Sequence, residues 1–284
     1  MKWIYLLIFL LISSCSQFQR IPASSELNKD LYVVFDIDWT IVSEIKYVAP
    51  TFKDSKRVIE VGGIHYFINE GLEEFIEGIL SKSDVKLSFY SGGSLERNMD
   101  LLSKIKLKDG TSLKDHADKI LSKEDLVSID GVSAKASFSE RYKKDLSKVT
   151  KNLDRLIMFD DTPGFTFGYE QNQSVFFIGK SYEYFESFEQ ARKFEGEYIP
   201  KSYEDWLLNR KKLVILNRAF LEAYEESKIK KISFSEAMKK QEELLDLKSH
   251  DWNKTSKEYI GKRISRKLPS SLDCQQGMEL FFNL

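Results

Sequence analysis

Asp36 and Asp38 stand two positions apart at the end of an apolar run, in the segment Val33-Val34-Phe35-Asp36-Ile37-Asp38-Trp39-Thr40. Side chains at i and i+2 of an extended chain project to similar sides, so the two carboxylates repel one another unless a cation lies between them. Ligation by a few carboxylates, with water in the remaining positions, is what Mg2+ prefers. His65, His116 and His250 are scattered and the only cysteines are Cys15 and Cys274. No His/Cys metal spacing results, so any metal is held by oxygen ligands. Acidic pairs after strands also serve as plain turn formers, and the pair alone does not decide. Other positions add to it. Ser91 ends an apolar run and precedes Gly92-Gly93-Ser94, bringing a hydroxyl and free backbone N–H groups toward an anion such as phosphate. Asp160-Asp161 ends another apolar run and offers carboxylates to the same cation. Lys144 lies upstream of that run as a fixed positive charge, with Lys135 and Lys143 as rivals. Read without chemistry, Ser91 is a turn residue and Lys144 a surface lysine.

The elements that position these residues follow from periodicity. Residues 31–35, 85–90 and 155–159 read as buried strands, each ending in polar residues. Residues 71–80, 94–105 and roughly 144–153 carry helical patterns between them. Strands alternating with helices indicate parallel pairing, and open α/β sheets bind ligands at the carboxyl ends of their strands. Residues 57–61 and 64–68 flank Gly62-Gly63 and read as a β-hairpin, a flap beside such a site. Beyond residue 181 the chain turns to long, charged, helix-favouring stretches such as 206–226. No recognisable site residue falls there; the expectation is helices packed on the core with solvated Lys/Glu faces, the alternatives a partner surface or a substrate-limiting element. Trp39 is read as packing or a flap contact, with substrate stacking as the alternative.

The 284 residues carry 43 Lys+Arg against 44 Asp+Glu, a formal net charge of -1. No overall field favours a polyanion, so no nucleic acid is expected as a stable partner. At the start, Lys2 precedes an apolar stretch over residues 3–12, too short for a span of about 20 residues. It ends in Leu11-Ile12-Ser13-Ser14-Cys15, which resembles a bacterial lipobox. The organisation expected is a signal peptide over 1–14, a tether over 15–29, a catalytic core over 30–180 and a charged helical region over 181–284. Cys15 would be acylated and hold the protein to a bacterial membrane outside the cytoplasm, each buried methylene contributing about 0.8 kcal/mol. An ordinary signal peptide and an N-terminal helix with an incidental cysteine are the alternatives. Lipidation of Cys15 would leave Cys274 without an intrachain partner.

Taken together, Asp36-x-Asp38-x-Thr40, Ser91 and Asp160-Asp161 resemble the haloacid dehalogenase superfamily. The stretch Tyr142-Lys143-Lys144-Asp145-Leu146-Ser147, followed by Leu153 and Asp160-Asp161-Thr162-Pro163, is similar to the branch of the RNA polymerase C-terminal-domain phosphatases and NLI-interacting-factor-like proteins. The likeness spans about 31–178. It implies an α/β, Rossmannoid three-layer fold with a central parallel sheet, a small hairpin flap and, here, a helical C-terminal extension. It also implies a Mg2+-dependent phosphomonoester hydrolase, with Asp36 as nucleophile and Asp38 as acid and base. Mg2+ would be bound by Asp36, the Asp38 carbonyl and Asp161, supported by Asp160. Thr40 would order the first loop, while Ser91, Gly92 and Lys144 would meet the phosphoryl oxygens of a substrate of unknown class. Trp39 departs from the acidic residue common in the branch, Asp161 from a frequent Asn, and Asn69-Glu70-Gly71 from an Arg-Pro pair. A non-catalytic polypeptide-binding module, known in the same branch, and a structural lipoprotein working through its C-terminal helices are the competing readings.

Overall fold

The computed structural model describes residues 30–46 and 55–245. The expected signal segment, the tether with Cys15, and Cys274 lie outside the described residues.

The run Leu-Tyr-Val-Val-Phe forms β1 (Leu31–Phe35), buried along its whole length, as expected of β-branched and aromatic residues in a strand covered on both faces. Then follow β2 (Val42–Glu44), β3 (Val58–Val61), β4 (Ile64–Ile68), α1 (Leu72–Leu80), β5 (Val85–Tyr90), α2 (Leu95–Lys104) and β6 (Ala117–Leu121). Next are β7 (Val127–Ser128), β8 (Tyr142–Lys143), β9 (Leu156–Asp160) and β10 (Val175–Phe177), and finally α3 (Tyr203–Lys230) and α4 (Phe234–Leu245). The central sheet has five strands in the order β10-β9-β1-β5-β6, all parallel. From β1 the chain builds outward through β5 and β6, then returns to the other side of β1 for β9 and β10. The strand order therefore reverses between β1 and β9, and the crevice at their carboxyl ends is where such sheets take ligands.

Register levels that crevice. Phe35 lies opposite Phe89 and Phe159, and Phe159 opposite Phe176. The Phe35 and Phe159 rings stack at 5.1 Å, and Phe75 of α1 meets Phe35 edge-on at 5.1 Å. Such pairs add about 0.5–1.5 kcal/mol each beyond burial, so the residues just past this row, Asp36 and Asp160, rise from a stiff aromatic floor. One sheet face packs Val33, Phe35 and Ile157 against α1, α2, α3 and α4. The other packs Tyr32, Val34, Met158 and Val175 against Leu146, Val149 and Leu153.

That second face corrects one expectation. Residues 144–153 do not form a helix but two one-turn 3-10 helices, Leu146–Lys148 and Leu153–Arg155. The competing bonds are specific. Lys144 donates its N–H to the Phe165 carbonyl at 2.8 Å and accepts from the Phe167 N–H at 2.8 Å. Asp145 caps Ser147 N–H at 3.0 Å, and the Gln171 side chain accepts the Leu146 N–H at 2.7 Å. With Lys144 drawn into a bridge, a helix cannot start there.

The expected hairpin is present as β3 and β4, paired antiparallel across Gly62-Gly63. Both glycines have positive φ, 59° and 78°, as a two-residue turn compatible with strand twist requires. β2 joins its other side in a three-stranded sheet.

The C-terminal helices share the core. α3 buries Leu213, Leu216 and Phe220 with the α1 residues Leu72, Phe75 and Ile76. At the start of α1, Gly71 has φ 83°, and a Cβ there would lie 2.5 Å from Val214 Cγ2 and 2.8 Å from Val214 N. Only glycine admits α3 this closely. Beside it, Glu70 accepts from Arg210 Nε at 2.7 Å and Lys211 Nζ at 2.6 Å. These cations hold its carboxyl below the usual range although burial pushes it up. Among the described residues, no helix is long and apolar enough to cross a membrane.

Candidate active site

Asp36 follows β1 and donates its backbone N–H to the Phe159 carbonyl at 2.9 Å, which ties the ends of β1 and β9 together. Carboxylate oxygens of Asp36, Asp160 and Asp161 lie within 4.8 Å of one another. Lys144 Nζ donates to Asp36 Oδ1 at 2.8 Å and to Asp160 Oδ2 at 2.7 Å. Its side chain is 0% exposed and its ammonium lies 4.7 Å from the centre of the Phe165 ring. Burial opposes its charge, but Asp160 and Asp36 outweigh burial and hold its pKa above the ordinary lysine value. The rivals lie elsewhere: Lys143 donates to the Gly164 carbonyl at 2.5 Å and Lys135 is exposed.

Three carboxylates facing one hydrogen-bonded ammonium leave negative charge uncompensated. Burial, followed by the charges of Asp160, Asp161 and Asp38, pushes Asp36 well above the usual carboxylate range, although Lys144 pulls it down. Burial and Asp160 push Asp161 up to about 7. A set of oxygen donors this close, with surplus negative charge, fits a hard divalent cation such as Mg2+. Asp36, Asp160 and Asp161 are the side chains that would hold it.

Asp38 stands apart from that cluster. Its side chain accepts from Ser91 Oγ at 3.0 Å and from Arg97 Nη1 at 3.1 Å, and Arg97 Nη2 bonds its other oxygen. Of the four aspartates expected at the metal, Asp38 thus directs its carboxylate to an arginine and a serine. Arg97 has no counterpart among the sequence-derived candidates. It lies in the first turn of α2, where a cation opposes the helix dipole, and that misplacement after Ser91-Gly92-Gly93-Ser94 was the available signal. Its guanidinium also lies 4.9 Å from the centre of the Tyr66 ring on the flap.

Ser91 is buried and accepts from the Gly93 N–H at 3.1 Å. Thr40 is buried under the loop; its carbonyl accepts from Asn69 Nδ2 at 2.8 Å, while its hydroxyl finds no partner among the described residues. It holds the loop to the flap exit through its backbone. A cleft of about 540 Å3 opens over the site, and Asp36, Asp38, Ser91, Gly92, Arg97 and Asp161 are among its lining residues. Thr40 and Lys144 lie beneath that lining.

The C-terminal region, expected to contribute no site residue, contributes Lys212. It is buried on α3 and donates to the Lys180 carbonyl at 3.0 Å and to Ser181 Oγ at 3.1 Å. Ser181 Oγ in turn donates to the Trp39 carbonyl at 2.6 Å. Burial lowers the Lys212 pKa to about 8 although Asp161 acts to raise it. Lys212 lies on the same helix stripe as Leu208, Leu216 and Ala219, and a charge on an apolar stripe was the signal for it.

No protein-family model matches the chain, and no curated protein matches it in sequence. Among solved structures it is similar to Fcp1, described as an essential RNA polymerase II CTD phosphatase, at 16% identity over 75% of this chain and 70% of that one, with a TM-score of 0.41. It is also similar to a variant of the fission yeast RNA polymerase II CTD phosphatase Fcp1 bound to beryllium fluoride, at 18% identity over 84% of this chain and 63% of that one, with a TM-score of 0.37.

Proposed function

We propose that this protein is a Mg2+-dependent phosphomonoester hydrolase that works through an aspartyl-phosphate on Asp36. The observation that carries the reading is the cluster at the β1/β9 switch point. Asp36, Asp160 and Asp161 converge there on Lys144, with Asp38 and Ser91 facing the same cleft. In the first step an Asp36 oxygen attacks phosphorus and the bond from phosphorus to the leaving oxygen breaks. Asp38, carrying a proton for this step, gives it to that oxygen. In the second step a water oxygen attacks phosphorus, its proton passes to Asp38, and the bond to Asp36 breaks. Bound Mg2+ supplies positive charge that offsets the phosphoryl oxygens and the carboxylates around them. Lys144 adds a fixed charge beside Asp36, and Ser91 with the backbone of Gly92 offers donors to the phosphoryl group. Arg97 orients Asp38 until substrate enters.

Acid-quench trapping with a labelled aryl phosphate tests this. Asp36→Asn, nearly isosteric, is expected to abolish the phosphoenzyme. Asp38→Asn is expected to accumulate it, because an aryl leaving group needs no proton whereas hydrolysis of the intermediate needs a base. Near wild-type turnover in Asp36→Asn excludes the mechanism. The same proposal places the enzyme outside the cytoplasm, anchored through acylated Cys15; an unmodified Cys15 in the mature membrane-bound protein, seen by mass spectrometry, contradicts that part.

A further inference from the structure

Four aromatic side chains from four separate segments line the cleft: Trp39 after β1, Tyr66 on the flap, Phe138 and Phe165. Tyr66 and Phe165 are buried, whereas Trp39 and Phe138 remain half-exposed. The Phe138 ring rests on the Ser91-Gly92-Gly93 loop, since a Cβ on Gly92 would lie 2.8 Å from its Cε1. Trp39 is the more informative residue. It has φ 62°, the left-handed region that a bulky L-residue enters only at a cost of about 1–2 kcal/mol, and that Gly or Asn would occupy more easily. The conformation is fixed from both sides: Trp39 N–H donates to the Val42 carbonyl at 2.8 Å and its carbonyl accepts from Ser181 Oγ at 2.6 Å. Its ring lies roughly parallel to that of Tyr198, at 5.7 Å and 22°, and Tyr198 is itself 47% exposed. Lys46 Nζ lies 5.7 Å from the centre of the Trp39 ring. Strained residues held this firmly cluster at functional sites, and this one sits next to Asp38 on the cleft wall.

We propose that the cleft takes a nucleoside monophosphate, its base against the half-exposed rings of Trp39 and Phe138 where they line the cleft. This rests on the phosphatase reading and adds the substrate class to it. Ser94 and Arg97 are among the polar lining residues and suit the hydroxyls of a sugar, and the rings suit a flat heterocycle.

The test compares AMP with ribose 5-phosphate in the full-length protein with Mg2+. Both release a ribose 5-hydroxyl, so only the base differs. Stacking on aromatic side chains is expected to favour AMP by about ten- to a hundredfold in kcat/KM. Trp39→Asn, which suits the left-handed backbone and removes the ring, is expected to bring that ratio toward one without lowering the thermal midpoint. If Trp39 merely packs, both substrates fall together and the midpoint drops, which overturns the proposal. Equal hydrolysis of AMP and ribose 5-phosphate by the wild type overturns it while leaving the phosphatase reading intact, and a preference for phosphotyrosine over AMP overturns the nucleoside assignment. Binding separates the two levels. In Asp36→Asn, AMP is expected to quench tryptophan fluorescence and ribose 5-phosphate is not, and the quench is expected to vanish in Asp36→Asn/Trp39→Asn. Quenching without any phosphatase activity in the wild type supports the nucleotide site and sinks the catalytic reading; no quenching sinks the site.

Discussion

Two buried lysines face the same acidic cluster from different regions of the chain and are treated in opposite ways. Lys144, before β9, is hydrogen-bonded to two carboxylates, and its pKa is held above the ordinary value. Lys212, on α3, donates to a carbonyl and a hydroxyl, and burial lowers its pKa to about 8. Burial costs both ammoniums similarly; what differs is the number of carboxylates in direct contact. Lys144 is a paired charge whose removal exposes others. Lys212 is an underpaired charge that the fold keeps in place, its ammonium donating to the Lys180 carbonyl and the Ser181 hydroxyl.

The largest expected effect follows from breaking the paired one. Lys144→Met leaves Asp36 and Asp160 buried without their cation, and breaking a buried pair from one side costs about 3–5 kcal/mol of stability. In kcat/KM, loss of a fixed charge in such a site is expected to cost about a hundred- to a thousandfold. Lys135→Met and Lys143→Met serve as controls, because neither ammonium reaches the cluster. Equal losses in all three variants would show that Lys144 has no special place.

Lys212 gives a smaller effect with a characteristic pH dependence. Its folded pKa, about 8, lies below the ordinary value of 10.5. Between those values the unfolded chain holds more protons on this group than the folded one. Stability therefore rises with pH across that window and is penalised in full below it. The penalty is of the order of 3 kcal/mol, at about 1.4 kcal/mol per pKa unit. Urea denaturation at pH 7.5, 9 and 10 is expected to show the rise in the wild type and a flatter curve in Lys212→Met. Parallel curves for the two proteins would mean that Lys212 is solvated or paired, and the contrast with Lys144 would disappear.

The contrast also marks what could be read from the sequence. Asp36, Ser91 and Asp160 were legible because each ends an apolar run that pairs in a parallel sheet, so strand periodicity places them together at one edge. The hairpin was legible from Gly62-Gly63. Residues 144–153 were misread as a helix because the bonds that prevent it come from residues 165–167 and Gln171, which are distant in sequence. Arg97 and Lys212 were missed for a related reason. Each signal is a charge in the wrong local place, at a helix start or on an apolar stripe, and its meaning depends on a partner in another element. Local pattern specifies the strand ends; the groups that steady them depend on tertiary packing.

The smallest effect tests whether the C-terminal region steadies the site at all. Ser181 Oγ donates to the Trp39 carbonyl at 2.6 Å and accepts from Lys212 at 3.1 Å, so it links α3 to the loop that carries Asp38. Ser181→Ala removes both contacts without changing a charge, and loss of a net hydrogen bond costs about 1 kcal/mol. A stabilising role alone predicts that loss and no change in turnover at temperatures where the protein stays folded. If the link holds the loop in register, kcat is expected to fall a few-fold with KM nearly unchanged, because Asp38 is then displaced in the step where it transfers a proton. Ser181→Thr, which keeps the hydroxyl, should restore most of kcat. Loss of stability without any loss of kcat would confine α3 to the core and leave Lys144 as the single lysine that matters to the chemistry.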